Sequence, residues 1–316
     1  MTDRPFWLDL GDTAVIPLVE TARLLIEPTE FFPDLDVHLG AGLGAGLGAG
    51  LGADWCFRPP WYDVEFGRLV YAIQAFLVIT PGRVLLVDAC VGAAKHRGRP
   101  EFHQQGDDWF GRFTDTGLRA ADVSAVVFTH LHVDHVGWAT RPVHGVVQPV
   151  FPAARHYVTE PEYRYWTGPA GAAAMRRTGD YLADSVRPLL DRQLLEFVDP
   201  AAVLAPGIEL VPASGHTPGN VCVRVTGSAG TLLLAGDLLH HPLQLRDPDR
   251  STRYCVDPAL AAAARRALLA EVAEAGTPLL PAHFAAPSVG RITPAGGGYR
   301  FAPATDLVRI GRYAER

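Results

Sequence analysis

Three histidines and an aspartate lie close together in the segment THLHVDH, residues 129–135. His130 and His132 are separated by one residue, so on an extended backbone both side chains project to the same side. Asp134 and His135 follow where the chain has to turn, and they can reach a second point on that side. Imidazole and carboxylate are ligands that Zn²⁺ and related first-row metals accept. The segment therefore predicts two ligands for one metal ion and two for a neighbouring ion.

Three further candidate ligands follow predicted strands later in the chain. His216 lies in the turn SGHTPG (214–219), Asp237 ends the apolar run LLLAGD (232–237), and His283 follows the short run LLPA (279–282). Each is weak evidence alone, because a lone turn histidine is ordinarily solvated and a lone aspartate after a strand ordinarily caps a turn. Together with the first motif they predict a dinuclear metal site, since sites gather where strands end in α/β folds.

This set of motifs resembles the metallo-β-lactamase-fold superfamily of metallohydrolases. The resemblance extends from about residue 65 to 290 and rests on THLHVDHVGW (129–138), SGHTPGN (214–220), AGD (235–237) and PAHF (281–284). It implies an α/β fold arranged as a four-layer αββα sandwich, and a centre that holds two Zn²⁺ ions, with Fe or Mn as alternatives. By this resemblance His130, His132 and His216 bind one metal. Asp134, His135 and His283 bind the second, and Asp237 bridges the two.

The ligand set is similar to that of lactonases, glyoxalase II-type thioesterases and organophosphate hydrolases. It departs from the true β-lactamases, which place a cysteine where this chain has Asp237. We therefore expect a metal-dependent hydrolase in which a hydroxide shared by two metals cleaves a small hydrophobic ester, lactone or organophosphate. The alternatives are a glyoxalase II-like thioesterase and an iron-dependent redox or binding protein on the same fold.

Further residues are assigned roles by their position beside these motifs. Asp134 and Asp237 are expected to orient the nucleophile, and His241 or its neighbour His240 to serve the leaving group. Asp88 is expected to accept a hydrogen bond from a metal-binding histidine, as carboxylates near metals commonly do. Aromatic residues near the motifs are candidates for a substrate pocket: Trp138 and Phe284, which directly follow ligand segments, rank above Trp109, Phe110 and Trp166.

Strands and helices alternate along the chain after residue 60, which favours a layered α/β domain. Residues 69–80 and 83–88 predict a hairpin around Pro81-Gly82, and residues 122–129 a buried strand. Strands are also predicted at 156–158, 194–198, 208–212, 220–226, 231–235 and 279–280. Thr159 and Glu162 form a sequence capping box, residues 180–193 are helix-like, and Asp257, Pro258 and Gly276 mark the ends of a long helix.

A run of Gly-Ala-Gly-Leu units at residues 40–52 predicts a loop or linker. It separates an N-terminal arm, residues 1–60, from a hydrolase domain, residues 61–316. We expect this arm to dock on the domain or to form a homodimer contact.

The composition of the chain disfavours some classes of protein, such as nucleic-acid-binding and membrane proteins. The 316 residues carry a net charge of −6 and a mean hydropathy of +0.09. This charge disfavours sequence-independent nucleic-acid binding, which needs a basic surface. Neither a signal peptide nor a membrane span is predicted, so we expect a cytoplasmic protein with a small-molecule substrate. Of the four cysteines, Cys90 and Cys222 lie in apolar runs and are predicted to be buried and unbridged.

Overall fold

A computed structural model describes residues 5–35 and 55–315 of the chain. The glycine-rich loop predicted at residues 40–52 lies outside these ranges. No helix in the described ranges is long and apolar enough to cross a membrane.

The strands are β1 (Phe6–Asp9), β2 (Ala14–Ile26), β3 (Tyr62–Asp63), β4 (Arg68–Thr80), β5 (Arg83–Val87), β6 (Ala125–Val127), β7 (Thr140–Val143), β8 (Val146–Pro149), β9 (Arg155–Thr159), β10 (Leu195–Val198), β11 (Val203–Ala205), β12 (Ile208–Pro212), β13 (Val221–Gly227), β14 (Gly230–Gly236), β15 (Leu279–Pro281), β16 (Gly290–Ala295), β17 (Gly298–Pro303) and β18 (Val308–Ile310). The α-helices are α1 (Pro28–Phe31), α2 (Asp108–Thr114), α3 (Val133–Val136), α4 (Glu160–Thr167), α5 (Pro169–Ala174), α6 (Leu182–Ser185), α7 (Arg187–Asp191), α8 (Leu243–Arg246) and α9 (Pro258–Ala275).

Two large sheets organise the described residues. The first has the order β10-β9-β6-β5-β4-β2-β1-β18, with β3 paired to β4, and the second has the order β11-β12-β13-β14-β15-β16-β17. Strands β5, β6, β9 and β10 run parallel to one another, so their carboxyl ends share one edge of the first sheet. This mixed α/β architecture confirms the predicted fold class.

Three apolar clusters fill the spaces beside the sheets. One joins residues of both sheets, including Phe76 of β4 and Val223 of β13, so the two sheets pack face to face. Another covers the outer side of the first sheet with Trp109 of α2 and Leu189 of α7. The third covers the outer side of the second sheet with residues of α9, such as Leu269. Burial of apolar surface in these clusters is the main favourable term in folding.

Several predicted elements agree with the structure. β4 and β5 form the expected hairpin, in which Gly82 takes a left-handed φ of 79°. Helix α9 begins after Asp257, whose side chain accepts a hydrogen bond from the amide of Leu260, and ends at Gly276 with a φ of 64°. Cys90 and Cys222 are buried and free, as predicted.

Other predictions were wrong in detail. The strand expected at 122–129 is shortened to β6, because residues 120–122 form a 3₁₀ turn. The helix expected at 180–193 is two short helices, α6 and α7, that meet at Val186 beside Pro188. Helix α4 begins after Thr159 as expected, but no capping hydrogen bond forms, since the Thr159 hydroxyl donates to the carbonyl of Gly219 instead.

Residues of the predicted arm take part in the first sheet. β2 pairs along most of its length with β4, from Ala14 opposite Ile79 to Ile26 opposite Leu69. β1 lies between β2 and the carboxyl-terminal β18. The division of the chain at residue 60 stays a prediction, and strands β16–β18 were not anticipated.

Candidate metal centre

The motif THLHVDH lies at the carboxyl end of β6, where the parallel strands of the first sheet end. His130 and His132 stand in the extended segment after the strand, and His132 keeps an extended backbone (φ −68°, ψ 159°) before α3 begins. Asp134 and His135 are in α3. Because the backbone changes from extended to helical, His130 and His132 reach one group of candidate ligands, and Asp134 and His135 reach the other. The spacing of the motif predicts this division.

The other three candidate ligands come from loops of the second sheet. His216 lies in the turn between β12 and β13, Asp237 follows β14 directly, and His283 follows β15. β14 and β15 are parallel neighbours, so Asp237 and His283 emerge at the same edge. Because the two sheets pack face to face, all seven candidate ligands lie close together at this edge.

The first group of side chains consists of His130, His132, His216 and Asp237. The Nδ1 atom of His132 lies 2.8 Å from His130 Nε2 and 2.8 Å from His216 Nε2. Asp237 Oδ2 lies 3.0 Å from His216 Nε2. Burial lowers the pKa of His130 and His132 well below its usual range. These rings are therefore neutral near pH 7, and a neutral imidazole has a lone pair to give to a metal.

The second group consists of Asp134, His135 and His283. His283 Nε2 lies 3.8 Å from Asp134 Oδ2, and His135 Nε2 lies 4.0 Å from Asp134 Oδ1. Asp237 also faces this group, because its second oxygen, Oδ1, lies 3.2 Å from His135 Nε2 and 3.0 Å from His283 Nε2. One carboxylate thus presents Oδ2 to the first group and Oδ1 to the second.

The hydrogen-bond partners of His135 and His283 show which ring nitrogen of each could bind a metal ion. His135 Nδ1 lies 2.9 Å from Asp88 Oδ2, and His283 Nδ1 lies 2.8 Å from the carbonyl of Ala72. Each Nδ1 must carry a hydrogen, because both partners only accept, so each Nε2 is the nitrogen that faces Asp237 Oδ1. His135 Nε2 and Asp237 Oδ1 are buried without a hydrogen-bond partner. A metal ion between these atoms would bind both, and Zn²⁺ suits this nitrogen-rich set.

Contacts on the outer nitrogens orient the rings. Asp88, predicted for this role, also accepts from the amide of Thr129 at 2.8 Å, which ties it to the start of the motif. His130 Nδ1 lies 3.1 Å from the Thr129 hydroxyl, and His216 Nδ1 lies 3.7 Å from the thiol of Cys255. Such outer contacts fix which nitrogen of a histidine faces a metal.

A cavity of about 1000 Å³ opens above the two groups. Its floor includes His132, Asp134, Asp237 and His283. Its walls combine apolar and charged side chains: Leu24, Ile26, Phe31, Tyr71, Phe102, Tyr165, Trp166, Tyr181, Arg99, Arg176, Arg177, Arg253, Glu27 and Glu30. A concave site with a few convergent polar groups is the usual form of a small-molecule site.

Most of the predicted pocket aromatics are core residues instead. Trp109 and Phe110 stack on Trp138, with ring centroids 5.1 and 5.9 Å apart, and none of the three lines the cavity. Phe284 packs on Phe301 at 5.7 Å. Trp138 and Phe284 follow metal motifs in sequence, but both side chains are buried in the apolar core. Only Trp166 of the set lines the cavity.

The two neighbouring histidines after Asp237 have different surroundings. His240 lines the cavity, and its Nε2 lies 3.1 Å from Asp237 Oδ2. His241, named first as the catalytic histidine, does not line the cavity. Its Nε2 lies 2.9 Å from the carbonyl of Trp61, and its Nδ1 accepts from the amide of Leu243. Both ring nitrogens of His241 are engaged by the backbone, so the structure favours His240 over His241 for the predicted catalytic role.

One buried carboxylate near the centre was missed as a site residue. Glu162 is fully buried and accepts hydrogen bonds from the amides of Leu131 and Gly219 and from Trp166 Nε1, at 2.9, 2.9 and 2.6 Å. It therefore joins the loop of His130 and His132 to the loop of His216. Its spacing from Thr159 suggested a capping box, and nothing in the sequence distinguishes that use from this one.

Comparison with known proteins agrees with this geometry. The family model described as the metallo-beta-lactamase superfamily matches residues 69–283. The chain belongs to the metallo-β-lactamase superfamily. A probable metallo-hydrolase of Mycobacterium tuberculosis is 28% identical over 173 residues, which make up 52% of this chain and 49% of that protein. A metallo-hydrolase of Annulohypoxylon moriforme is 30% identical over 139 residues, 41% of this chain and 34% of that one. The chain spans about half the length of the first of these relatives.

Solved structures share the metallo-β-lactamase fold over nearly the whole chain. The hydrolase AbOPH superposes with a TM-score of 0.77 at 21% identity and covers 96% of this chain and 98% of its own. AidC, a dizinc quorum-quenching lactonase solved with a product, superposes with a TM-score of 0.73 at 20% identity and covers 95% and 97%. At sequence identities of 21% and 20%, these superpositions show that the fold is shared and nothing more.

Proposed function

We propose that this metallo-β-lactamase-fold chain is a hydrolase with two metal ions that cleaves a small ester or lactone. The observation that carries the proposal is the position of Asp237. Its Oδ2 lies 3.0 Å from His216 Nε2 and its Oδ1 lies 3.0 Å from His283 Nε2, so the two groups share one carboxylate at the floor of the cavity. Phosphatases, nucleases and aminopeptidases use two adjacent metal ions for hydrolysis.

The residues that would hold the metals follow from the two groups. His130, His132 and His216 would bind one ion, Asp134, His135 and His283 the other, and Asp237 both. Bound there, two Zn²⁺ ions, or Fe or Mn in their place, would polarise a carbonyl oxygen and supply hydroxide at neutral pH. Every other contribution to the reaction comes from the side chains of the chain itself.

His240 is the residue we propose to serve the leaving group. Its ring lies between the rings of His216 and His283, with centroids 4.8 and 5.5 Å away, and it lines the cavity. Its Nε2 lies 3.1 Å from Asp237 Oδ2, so in the neutral ring this nitrogen carries the hydrogen. A substrate oxygen above Asp237 would lie within reach of that hydrogen, as general acid catalysis requires.

The walls of the cavity support an ester or lactone with an apolar substituent. Leu24, Ile26, Phe31, Phe102 and Trp166 give one side of the cavity an apolar surface. AidC, one of the structural neighbours, is a lactonase. The arginines of the wall could also accommodate an anionic thioester, so the thioesterase alternative belongs in the same test.

A hydrolysis screen of the metal-loaded protein tests the proposal. The panel contains an N-acyl homoserine lactone, an aryl ester, a thioester, a phosphotriester and a β-lactam. We expect turnover of the lactone or the ester, and its loss in Asp237→Ala. Asp306→Ala is the matched control, because Asp306 is exposed and pairs with Arg291 far along the chain. Preference for the thioester would select the alternative, and no turnover of any compound would contradict the proposal.

A further inference from the structure

Lys95 is the only lysine in the sequence, and its side chain is 2% exposed. The Nζ atom lies 2.6 Å from the carbonyl oxygen of Gly137, 2.8 Å from Thr140 Oγ1 and 2.8 Å from Ser185 Oγ. Lysine is almost never fully buried unless it is paired. The reaction proposed above makes no use of this side chain.

Burial lowers the pKa of Lys95 to about 7, but the hydrogen-bond acceptors around its amine favour the ammonium form. The Thr140 hydroxyl donates its hydrogen to the carbonyl of Asp184, and the Ser185 hydroxyl donates to Asp184 Oδ1 at 2.6 Å. Both hydroxyls, like the carbonyl of Gly137, can therefore only accept from Nζ. Three acceptors need three N–H groups, and only the protonated amine has three. Asp184 Oδ1, 3.5 Å from Nζ, supplies the opposite charge.

Glu20 of β2 is a partly buried carboxylate of the opposite sign in the same region. Its carboxylate accepts from the amide of Val91 at 2.8 Å, the amide of Gly92 at 3.1 Å and the indole Nε1 of Trp138 at 2.7 Å. Burial raises the pKa of Glu20, and these three donors oppose that rise. A carboxylate with several N–H donors is held as an anion.

Lys95 and Glu20 both connect the same two segments, residues 88–95 and residues 135–140, through hydrogen bonds. Lys95 belongs to the first segment and binds Gly137 of the second, while Glu20 binds amides of the first and Trp138 of the second. The backbones of the segments are also joined, because the amide of Ala89 donates to the carbonyl of His135 at 2.7 Å. At their crossing a Cβ on Gly137 would lie 1.7 Å from the carbonyl oxygen of Val91, so the approach requires glycine.

One of these segments begins with a residue of the second metal group, and the other begins with the carboxylate that orients it. Segment 88–95 begins at Asp88, and segment 135–140 begins at His135, the ring that Asp88 orients at 2.9 Å. A shift of one segment along the other would therefore change the distance between Asp88 and His135. None of the residues that hold the first group lies in either segment.

We propose that Lys95 and Glu20 are positioning residues that hold Asp88 against His135 and thereby set the metal affinity of the second group. This inference rests on the proposed function, since it takes the second group to be a metal site. Loss of an outer contact commonly lowers metal affinity by about 10- to 100-fold. Coupling between sites is reciprocal, so metal in the second group must in turn hold the two segments together.

The first arm of the experiment measures metal content in full-length variants. Lys95→Met and Glu20→Gln, loaded with Zn²⁺ and dialysed against a weak chelator, should retain about one ion per chain under conditions in which the unaltered protein retains two. Val225→Ala is the control, because Val225 is fully buried in β13 and a variant there is destabilised without contact with either segment. Equal retention by the two variants and the unaltered protein would overturn the proposal. An unaltered protein that binds no zinc would instead contradict the proposed function.

The second arm needs no variant, so it decides the question even if the variants do not fold. Reductive methylation of the metal-loaded protein labels amines, and mass spectrometry of the peptide that contains Lys95, the only lysine in the sequence, follows this side chain. Removal of the more weakly held metal should raise the labelling rate of Lys95 at least tenfold, while the thiol of Cys222, buried in the second sheet, stays protected from a thiol reagent added in a parallel sample. No change at Lys95, or an equal rise at Cys222 that reports global unfolding, would overturn the coupling.

Discussion

The metal ligands are the residues that sequence alone predicted best, because their spacing carries the chemistry. Three histidines and an aspartate within seven residues can face one place only if the chain turns there, and the structure has that turn at α3. Sequence position does not show which other side chains face the metal centre, because neighbouring residues can point in different directions. Trp138 follows the motif yet donates to Glu20 in the core, and His241 follows Asp237 yet donates to a backbone carbonyl.

The difference between His240 and His241 gives a prediction at this scale. His240→Ala should lower kcat by about 100-fold, because it removes a hydrogen-bond donor beside the reacting oxygen. His241→Ala should leave kcat nearly unchanged and lower the free energy of unfolding by about 2 kcal/mol, because it leaves two buried backbone groups unpaired. Steady-state kinetics and urea unfolding at equal metal content measure both effects. A loss of kcat in the His241 variant alone would reverse the assignment.

At the scale of elements, turn and cap residues predicted where helices and strands begin, but not how the loops are held together. The ends of α9 follow from Asp257, Pro258 and Gly276 because each acts through its own backbone. Glu162 had the spacing of a local cap, and the structure uses it to join two loops that are distant in sequence. A pattern of local spacing cannot identify a partner such as Gly219, 57 residues away.

Glu162→Gln tests whether that carboxylate holds the two loops. The amide group would place N–H donors against the N–H groups of Leu131, Gly219 or Trp166, so we expect the free energy of unfolding to fall by about 3 kcal/mol. Glu160→Gln is the matched control on the same helix, since Glu160 is exposed and pairs only with Arg164. Its effect should stay within about 0.5 kcal/mol. Denaturant unfolding of both variants measures the difference, and equal stabilities would remove this role for Glu162.

At the scale of the whole molecule, the sequence predicted the class of the fold but not the extent of its sheets. β2 and β18 lie near opposite ends of the chain and join the first sheet through β1, a pairing that no local pattern reveals. The first sheet thereby brings Leu24, Ile26 and Phe31 from the amino-terminal residues to the cavity wall. The shape of the substrate site therefore depends on contacts between distant parts of the chain, which explains why the pocket was the least successful prediction.

Stability of the whole molecule should depend on pH through buried histidines outside the metal groups. Burial lowers the pKa of His156 to about 4, whereas the unfolded value is about 6.5. The unfolded chain then binds more protons between these values, so the stabilisation present above pH 6.5 is lost as the pH falls towards 4. Between pH 7 and pH 5 the protein should lose about 2 kcal/mol more than His156→Leu. Urea unfolding at the two pH values measures this, and His96→Leu, at an exposed position, should keep the slope of the unaltered protein.

The most direct test of the account is a titration of lactone hydrolysis against bound zinc in the full chain. If seven side chains hold two ions around Asp237, activity should rise until two zinc ions are bound per chain and disappear when a chelator removes them. Turnover that persists after the zinc has been removed, or that reaches its maximum with no zinc bound, would contradict the account.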